Sequence, residues 1–189
     1  MVRRVHHWAL AILMLLALLH SVPAIAAEED GWAALRAGGV VLFRHAIAPG
    51  GGDPLGMRLG DCATQRNLDT VGRAQARRIG EAFSARGLSV GRVLTSQWCR
   101  TRETAELAFP GRTEDEPAFN SFFSDRSRQD TQTAAARQVL DAWRGPGALV
   151  IVTHQVNITA LTGIVPASGE GIVLARTPTG WSVAGRILP

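Results

Sequence analysis

Val40-Val41-Leu42-Phe43-Arg44-His45 is an unbroken run of branched and aromatic residues that stops on two polar side chains. Such a run reads as a strand buried on both faces, and in α/β sheets functional side chains collect where parallel strands end at their carboxyl termini. Arg44 and His45 stand at that end. The Ala48-Pro-Gly-Gly-Gly-Asp53 segment that follows cannot continue a strand and reads as a loop. Alone, an Arg-His pair says no more than a rim arginine beside a packed histidine. A second stretch, Ala148-Leu-Val-Ile-Val-Thr-His154, repeats the pattern, and beyond residue 26 His45 and His154 are the only histidines. A parallel sheet brings both to one rim if the two strands are neighbours, which the sequence leaves open.

The 189 residues, 46% hydrophobic and 19% charged, suit one globular domain with a sizeable core. The pI of about 10.7 suggests a polyanion binder, but the chain has no lysine and its formal net charge is only +4. The pI reports the high pKa of arginine. Without Arg3 and Arg4 the charge is +2, too weak a field to make nucleic acid an expected partner.

The N-terminus reads as an export signal. Arg3 and Arg4 form a positive start, Trp8 to Leu19 an apolar run, and Ala24-Ile25-Ala26 a small-x-small cleavage site. Residues 1–26 are therefore expected to be a cleaved signal peptide and 27–189 a single domain. The apolar run is about a dozen residues where a spanning helix needs roughly twenty, so no stable membrane insertion is expected after cleavage. A periplasmic or secreted location permits disulfides. Cys62 and Cys99 can form only one pair, which would be worth roughly 4 kcal/mol in the chain-entropy description and would tie the loop after the first strand to the segment carrying Arg100. Two reduced thiols remain the alternative.

A short helix is expected from Ala27 to Gly39. A long glycine-rich loop, Ala46 to Gln65, lacks the Gly-Lys-Ser/Thr ending of a nucleotide P-loop. From Asn67 to Phe83, Leu68, Val71, Ile79, Ala82 and Phe83 recur at helical spacing, with Arg73, Arg77 and Glu81 opposite and Gly87 as the stop. Arg92 to Ser96 reads as a strand and Cys99 to Leu107 as a helix, which puts Arg100 near a strand-to-helix junction that favours anions. Phe119, Phe122 and Phe123 read as core or pocket wall. Asp130 is the expected cap of a helix running to Trp143. A short helix, Val156 to Leu161, follows His154, and Gly171–Arg176 with Trp181–Leu188 forms a closing hairpin.

Hydrolysing a phosphate monoester without a metal needs a nucleophile, positive donors for the phosphoryl oxygens, and a proton for the leaving alkoxide. Imidazole is a nucleophile near neutral pH, and arginine's planar fork holds phosphate with two hydrogen bonds. Arg44, Arg100 and His154 are the candidate phosphate clamp around His45.

At this point the sequence resembles the histidine phosphatase superfamily, the phosphoglycerate-mutase-like proteins. Phe43-Arg44-His45-Ala46 matches an Arg-His-Gly signature apart from Ala46. Leu68, Gly72, Gln75 and Ala76 match a Leu-x-x-x-Gly-x-x-Gln-Ala element, and Ser96, Arg100, Thr104 and Ala105 a Ser-x-x-x-Arg-x-x-x-Thr-Ala block. His154 follows an apolar strand as the final family histidine does. The likeness runs from about Val40 to Leu161. It implies a three-layer α/β/α sandwich on a mostly parallel central sheet, no metal and no organic cofactor, a phosphohistidine on His45, and phosphate binding by Arg44, Arg100 and His154. The general acid is where the match fails. Gln155 stands where one branch has Asp, and Ser121 where the other has Glu. Asp125 is the first candidate, with Glu116 and Asp53 behind it.

The leading expectation is an exported, metal-independent phosphoric monoester hydrolase of the histidine acid type. Its partner would be a small-molecule phosphate ester or a phosphorylated envelope sugar; the sequence does not give the oligomeric state. The alternatives are a non-catalytic phosphate-binding module on the same fold and a phosphohistidine phosphatase, whose imidazole leaving group needs little acid.

Overall fold

A computed structural model describes residues 22–189, with side chains from residue 28 onward. The expected signal segment, 1–26, lies almost wholly outside these residues. No helix among the described residues is long and apolar enough to cross a membrane. Helix α1 (Val22–Arg36) begins ahead of Ala27 and leads into β1 (Val40–Arg44).

β1 pairs in parallel with β4 (Ala148–Thr153), with Arg44 opposite Thr153. The next residue of each chain is a histidine, so the pairing sets His45 and His154 side by side on one rim. β2 (Val90–Thr95) runs parallel on the other side of β4, and β3 (Thr113–Asp115) runs parallel beyond it. β5 (Gly171–Thr177) and β6 (Gly180–Ile187) form the expected hairpin, antiparallel on the free side of β1. The sheet order is β3-β2-β4-β1-β5-β6.

Alternation along each strand builds the three expected layers. Val41, Phe43, Val150 and Val152 face α1, α2 (Thr70–Ala85) and α3 (Cys99–Ala108), whereas Val40, Leu42, Leu149 and Ile151 face α4 (Gln129–Ala142) and α5 (Gln155–Thr162). On the first side Phe83 is the hub. Its ring centroid lies 5.4 Å from Trp32, 6.2 Å from Phe43 and 5.2 Å from Phe109. Burying each such side chain contributes about 1.5–3 kcal/mol.

Two local expectations need correction. Val71, assigned to the core face of α2, is exposed; the buried face is Gly72, Gln75, Ala76, Ile79, Gly80 and Phe83. Glycine takes the place of an apolar residue because backbone presses on the helix there. A Cβ on Gly72 would lie 2.0 Å from the Ile47 carbonyl oxygen, and one on Gly80 2.1 Å from that of Ala108. The second correction concerns Asp130, which lies inside the first turn of α4 and makes no capping bond. There it complements the helix dipole instead.

Candidate active site

The backbone of β1 continues one residue past its last pair: the His45 N–H donates to the Thr153 carbonyl at 3.0 Å. The chain is then held from two sides. Ala46 N–H donates to Thr104 Oγ1 (3.1 Å), and Ile47 N–H donates to Gln75 Oε1 (3.0 Å). Thr104 in turn donates to the Arg100 carbonyl, and Gln75 to the Ser168 carbonyl. These bonds explain why the two sequence blocks carry Gln75 and Thr104. No non-glycine residue among those described has a positive φ, so Ala46 is accommodated without strain.

His45 is only 3% exposed. Its Nδ1 lies 2.7 Å from the Ala46 carbonyl oxygen, which can only accept, so Nδ1 carries the proton. The lone pair is therefore on Nε2. Burial, then the charge of Arg100, lowers the His45 pKa from 6.5 to about 3; the bond to Ala46 opposes this, and Arg66 and Arg44 add to the lowering. The imidazole is neutral at physiological pH.

His154 is the opposite tautomer. Arg100 Nη2 donates to Nδ1 at 3.4 Å, which leaves Nε2–H to donate to Ser96 Oγ at 2.7 Å. Ser96 in turn donates to Thr101 Oγ1 (2.9 Å), whose own hydroxyl donates to the Trp98 carbonyl (2.7 Å). Burial, then Arg100, His45, Arg66 and Arg44, keeps His154 well below the usual histidine range. The two imidazole centroids are 5.6 Å apart. With Nδ1 accepting from Arg100, His154 can donate to a phosphate only by taking up a proton along with the anion.

Three arginines line the same pocket, a cavity of about 200 Å³ walled also by Gly50, Gly51, Gly52, Asp53, Ser121, Phe123, Gln155 and Val156. Arg44 Nη1 is held by the Pro166 carbonyl (3.1 Å), and Arg100 is 3% exposed. The third, Arg66, carries no sequence signal: it sits in an aperiodic loop. It reaches the pocket because it is hydrogen-bonded to the Ala48 carbonyl. Each of the three keeps a buried Nε without a partner. Burial first, and the neighbouring Arg100 charge second, lowers the pKa of Arg44 and Arg66. Three like charges held this closely favour an anion of charge −2.

Of the candidate acids, Asp125 does not line this pocket. Its carboxylate accepts from the N–H (3.2 Å) and hydroxyl (2.6 Å) of Ser127 and caps the turn Arg126–Arg128. Its side chain is used at the start of that turn and not in the pocket, so the expectation that it reaches the reacting group is corrected. Glu116 likewise caps the turn Pro117–Phe119. Asp53 is the one that enters. It grips Arg100 at 2.5 and 3.1 Å and accepts from Trp98 Nε1 at 2.9 Å. Burial raises its pKa, but the bonds to Arg100 and its charge, with Trp98, bring it below the ordinary Asp value. Cys62 and Cys99 are joined, and Gln65 Oε1 accepts from the Cys99 N–H at 2.9 Å, so the loop carrying Arg66 is fastened beside Arg100. Among the described residues no three His, Cys, Asp or Glu side chains are grouped as a metal site.

A protein histidine phosphatase, SixA, solved with tungstate, superposes with a TM-score of 0.57 at 14% identity over 80% of this chain and 97% of its own. The chain has the histidine phosphatase fold. A mycobacterial glucosyl-3-phosphoglycerate phosphatase solved with VO3 shares that fold, with a TM-score of 0.55 and 14% identity over 77% of this chain and 96% of its own. So does the product of a Mycobacterium tuberculosis open reading frame, with a TM-score of 0.59 and 15% identity over 80% and 96%. No family model matches the sequence, and neither does any curated protein. Within the histidine phosphatase fold, His45 and His154 occupy the carboxyl-terminal rim of the central parallel strands.

Proposed function

We propose that this chain is a phosphatase that hydrolyses phosphate monoesters through a phosphohistidine on His45, without a metal. The observation that carries the reading is the 2.7 Å contact of His45 Nδ1 with the Ala46 carbonyl, which assigns the proton to Nδ1 and leaves the Nε2 lone pair to a histidine that lines a pocket with Arg44, Arg66 and Arg100. Nε2 attacks phosphorus, the P–O bond to the leaving group breaks, and the alkoxide leaves with a proton. Water then attacks the phosphohistidine, releasing inorganic phosphate and restoring the imidazole. The arginines stabilise the negative phosphoryl oxygens throughout, as charge-assisted bidentate donors. Because His45 is held neutral down to about pH 3, its lone pair does not have to be freed by a base. Two proteins with this fold are solved with the oxyanions tungstate and VO3, which supports an oxyanion as ligand of this chain too.

The size of the pocket, about 200 Å³, favours a phosphoryl group with a small leaving group at its mouth. The N-terminal signal pattern and the disulfide support action outside the cytoplasm, on a small phosphate ester or a phosphorylated envelope sugar.

The test is phosphate release from an aryl phosphate by residues 27–189, with chelator present and His45→Ala as control. Turnover that survives chelator and is lost in the variant is expected. Phosphate bound by the wild type without turnover would instead make the chain a binding module.

A further inference from the structure

We propose that Asp53 gives the leaving oxygen its proton, and that the substrate brings it into play by displacing it from Arg100. The inference rests on the phosphatase reading above. Asp53 is the single carboxylate among the residues lining the pocket. It occupies the donors a phosphoryl group would use: both terminal nitrogens of Arg100 bind it, and the same Nη2 also reaches His154 Nδ1 at 3.4 Å. A dianionic phosphoryl group and a carboxylate compete for that guanidinium, and the dianion has the greater charge.

Displacement changes what Asp53 is. It loses a cation and gains a dianion as neighbour, and both favour its protonated form. The charged and titratable groups around it are Arg100 and Arg66, with Arg44, His45 and His154 across the pocket. Its carrier is a run of three glycines, which puts no side chain of its own in the way of a shift. Gly50 and Gly52 have φ of 101° and 136°, and nothing lies within 4 Å of the position of a Gly51 Cβ. Position also suits the role. His45 is 3% exposed and the Asp53 side chain 20%, so of the two lining groups Asp53 is the nearer to solvent, as a donor to an oxygen leaving away from a buried nucleophile needs to be. The steps balance: Asp53 takes a proton from solvent as the substrate binds and gives it to the leaving oxygen as the P–O bond breaks. The carboxylate left behind then accepts a proton from the water that attacks the phosphohistidine, and returns it to solvent as phosphate leaves and Arg100 takes the carboxylate back.

Asp53→Asn keeps an acceptor for Trp98 Nε1 and removes the acid. Release of the alcohol in the first turnover would be followed for an alkyl phosphate and for a nitrophenyl phosphate, whose good leaving group needs little protonation. Tungstate affinity would be measured on the same preparations. The expected result is a fall of at least about 100-fold for the alkyl ester, little change for the nitrophenyl ester, and tighter tungstate binding because no carboxylate has to be displaced. Equal slowing of both esters would make Asp53 a residue that merely positions Arg100 and would overturn the proposal. So would an unslowed alkyl ester, or tungstate binding that is unchanged or weaker. If the wild type releases neither alcohol, the phosphatase reading fails and this inference with it; if it releases both and the variant matches it, only the role of Asp53 fails.

Discussion

The two walls of the pocket are built by different means. One is the ends of β1 and β4, where His45 and His154 follow directly on paired residues and are fixed by backbone and buried hydrogen bonds. The other is the stretch from Ala46 to Asp69, which has no long helix or strand and is held by side-chain bonds and one disulfide. The strand-end wall holds His45, the proposed nucleophile. The loop wall holds Asp53 and Arg66. Arg100 joins the two, touching His154 on one side and Asp53 on the other.

Removing that joint should have the largest effect. Arg100→Ala is expected to lower kcat/KM by about 10³-fold or more, and a loss under tenfold in steady-state assays would show that the walls work separately. Next is the loop wall alone. Replacing Cys62 and Cys99 by serine should lower unfolding free energy by roughly 4 kcal/mol, read by denaturant titration, with activity falling before global unfolding as Arg66 loosens. Unchanged stability would mean that the hydrogen bonds suffice.

The strand-end wall should show itself in acid. A histidine whose folded pKa lies below its unfolded value contributes stability that is complete above about pH 6.5 and is lost as pH falls toward the folded value, here about 3 for His45. His154 and Asp53 are shifted in the same direction and add to the loss. Each buried histidine contributes a slope of up to about 1.4 kcal/mol per pH unit in that window. His45→Gln should flatten the stability curve by that amount, and an unaltered slope would show that His45 titrates normally. Smallest of all, Asp125→Asn should leave turnover of an alkyl phosphate within about twofold, since surface changes away from a site are near neutral.

The strand-end wall was legible in the sequence because burial on both faces leaves an apolar run and the polar candidate residues end it. Arg44, His45 and His154 are read that way, and the parallel pairing of β1 with β4 supplies the adjacency that the sequence left open. The loop wall was legible only in part: the Cys62–Cys99 pair and Asp53 as a later candidate acid could be read, but nothing periodic marks Arg66, and Asp53 differs from Asp125 only in where the backbone carries it. Asp125 stands closer in sequence to the aromatic wall residues, yet its carboxylate is used locally to cap a turn. Val71 shows the same limit on α2. Hydrophobicity pointed to it, but the contact surface there is set by how near Ile47 and Ala108 approach, and only Gly72 and Gly80 allow that distance.

The covalent step is open to direct measurement. The wild-type chain would be mixed with a radiolabelled phosphate ester, quenched in alkali within the first turnover, and digested for peptide mapping. An alkali-stable, acid-labile phosphate on the peptide containing His45, absent in His45→Ala, is the expected result. Turnover that proceeds with no phosphate on that peptide, or with the label on another residue, would contradict a phosphohistidine mechanism at His45.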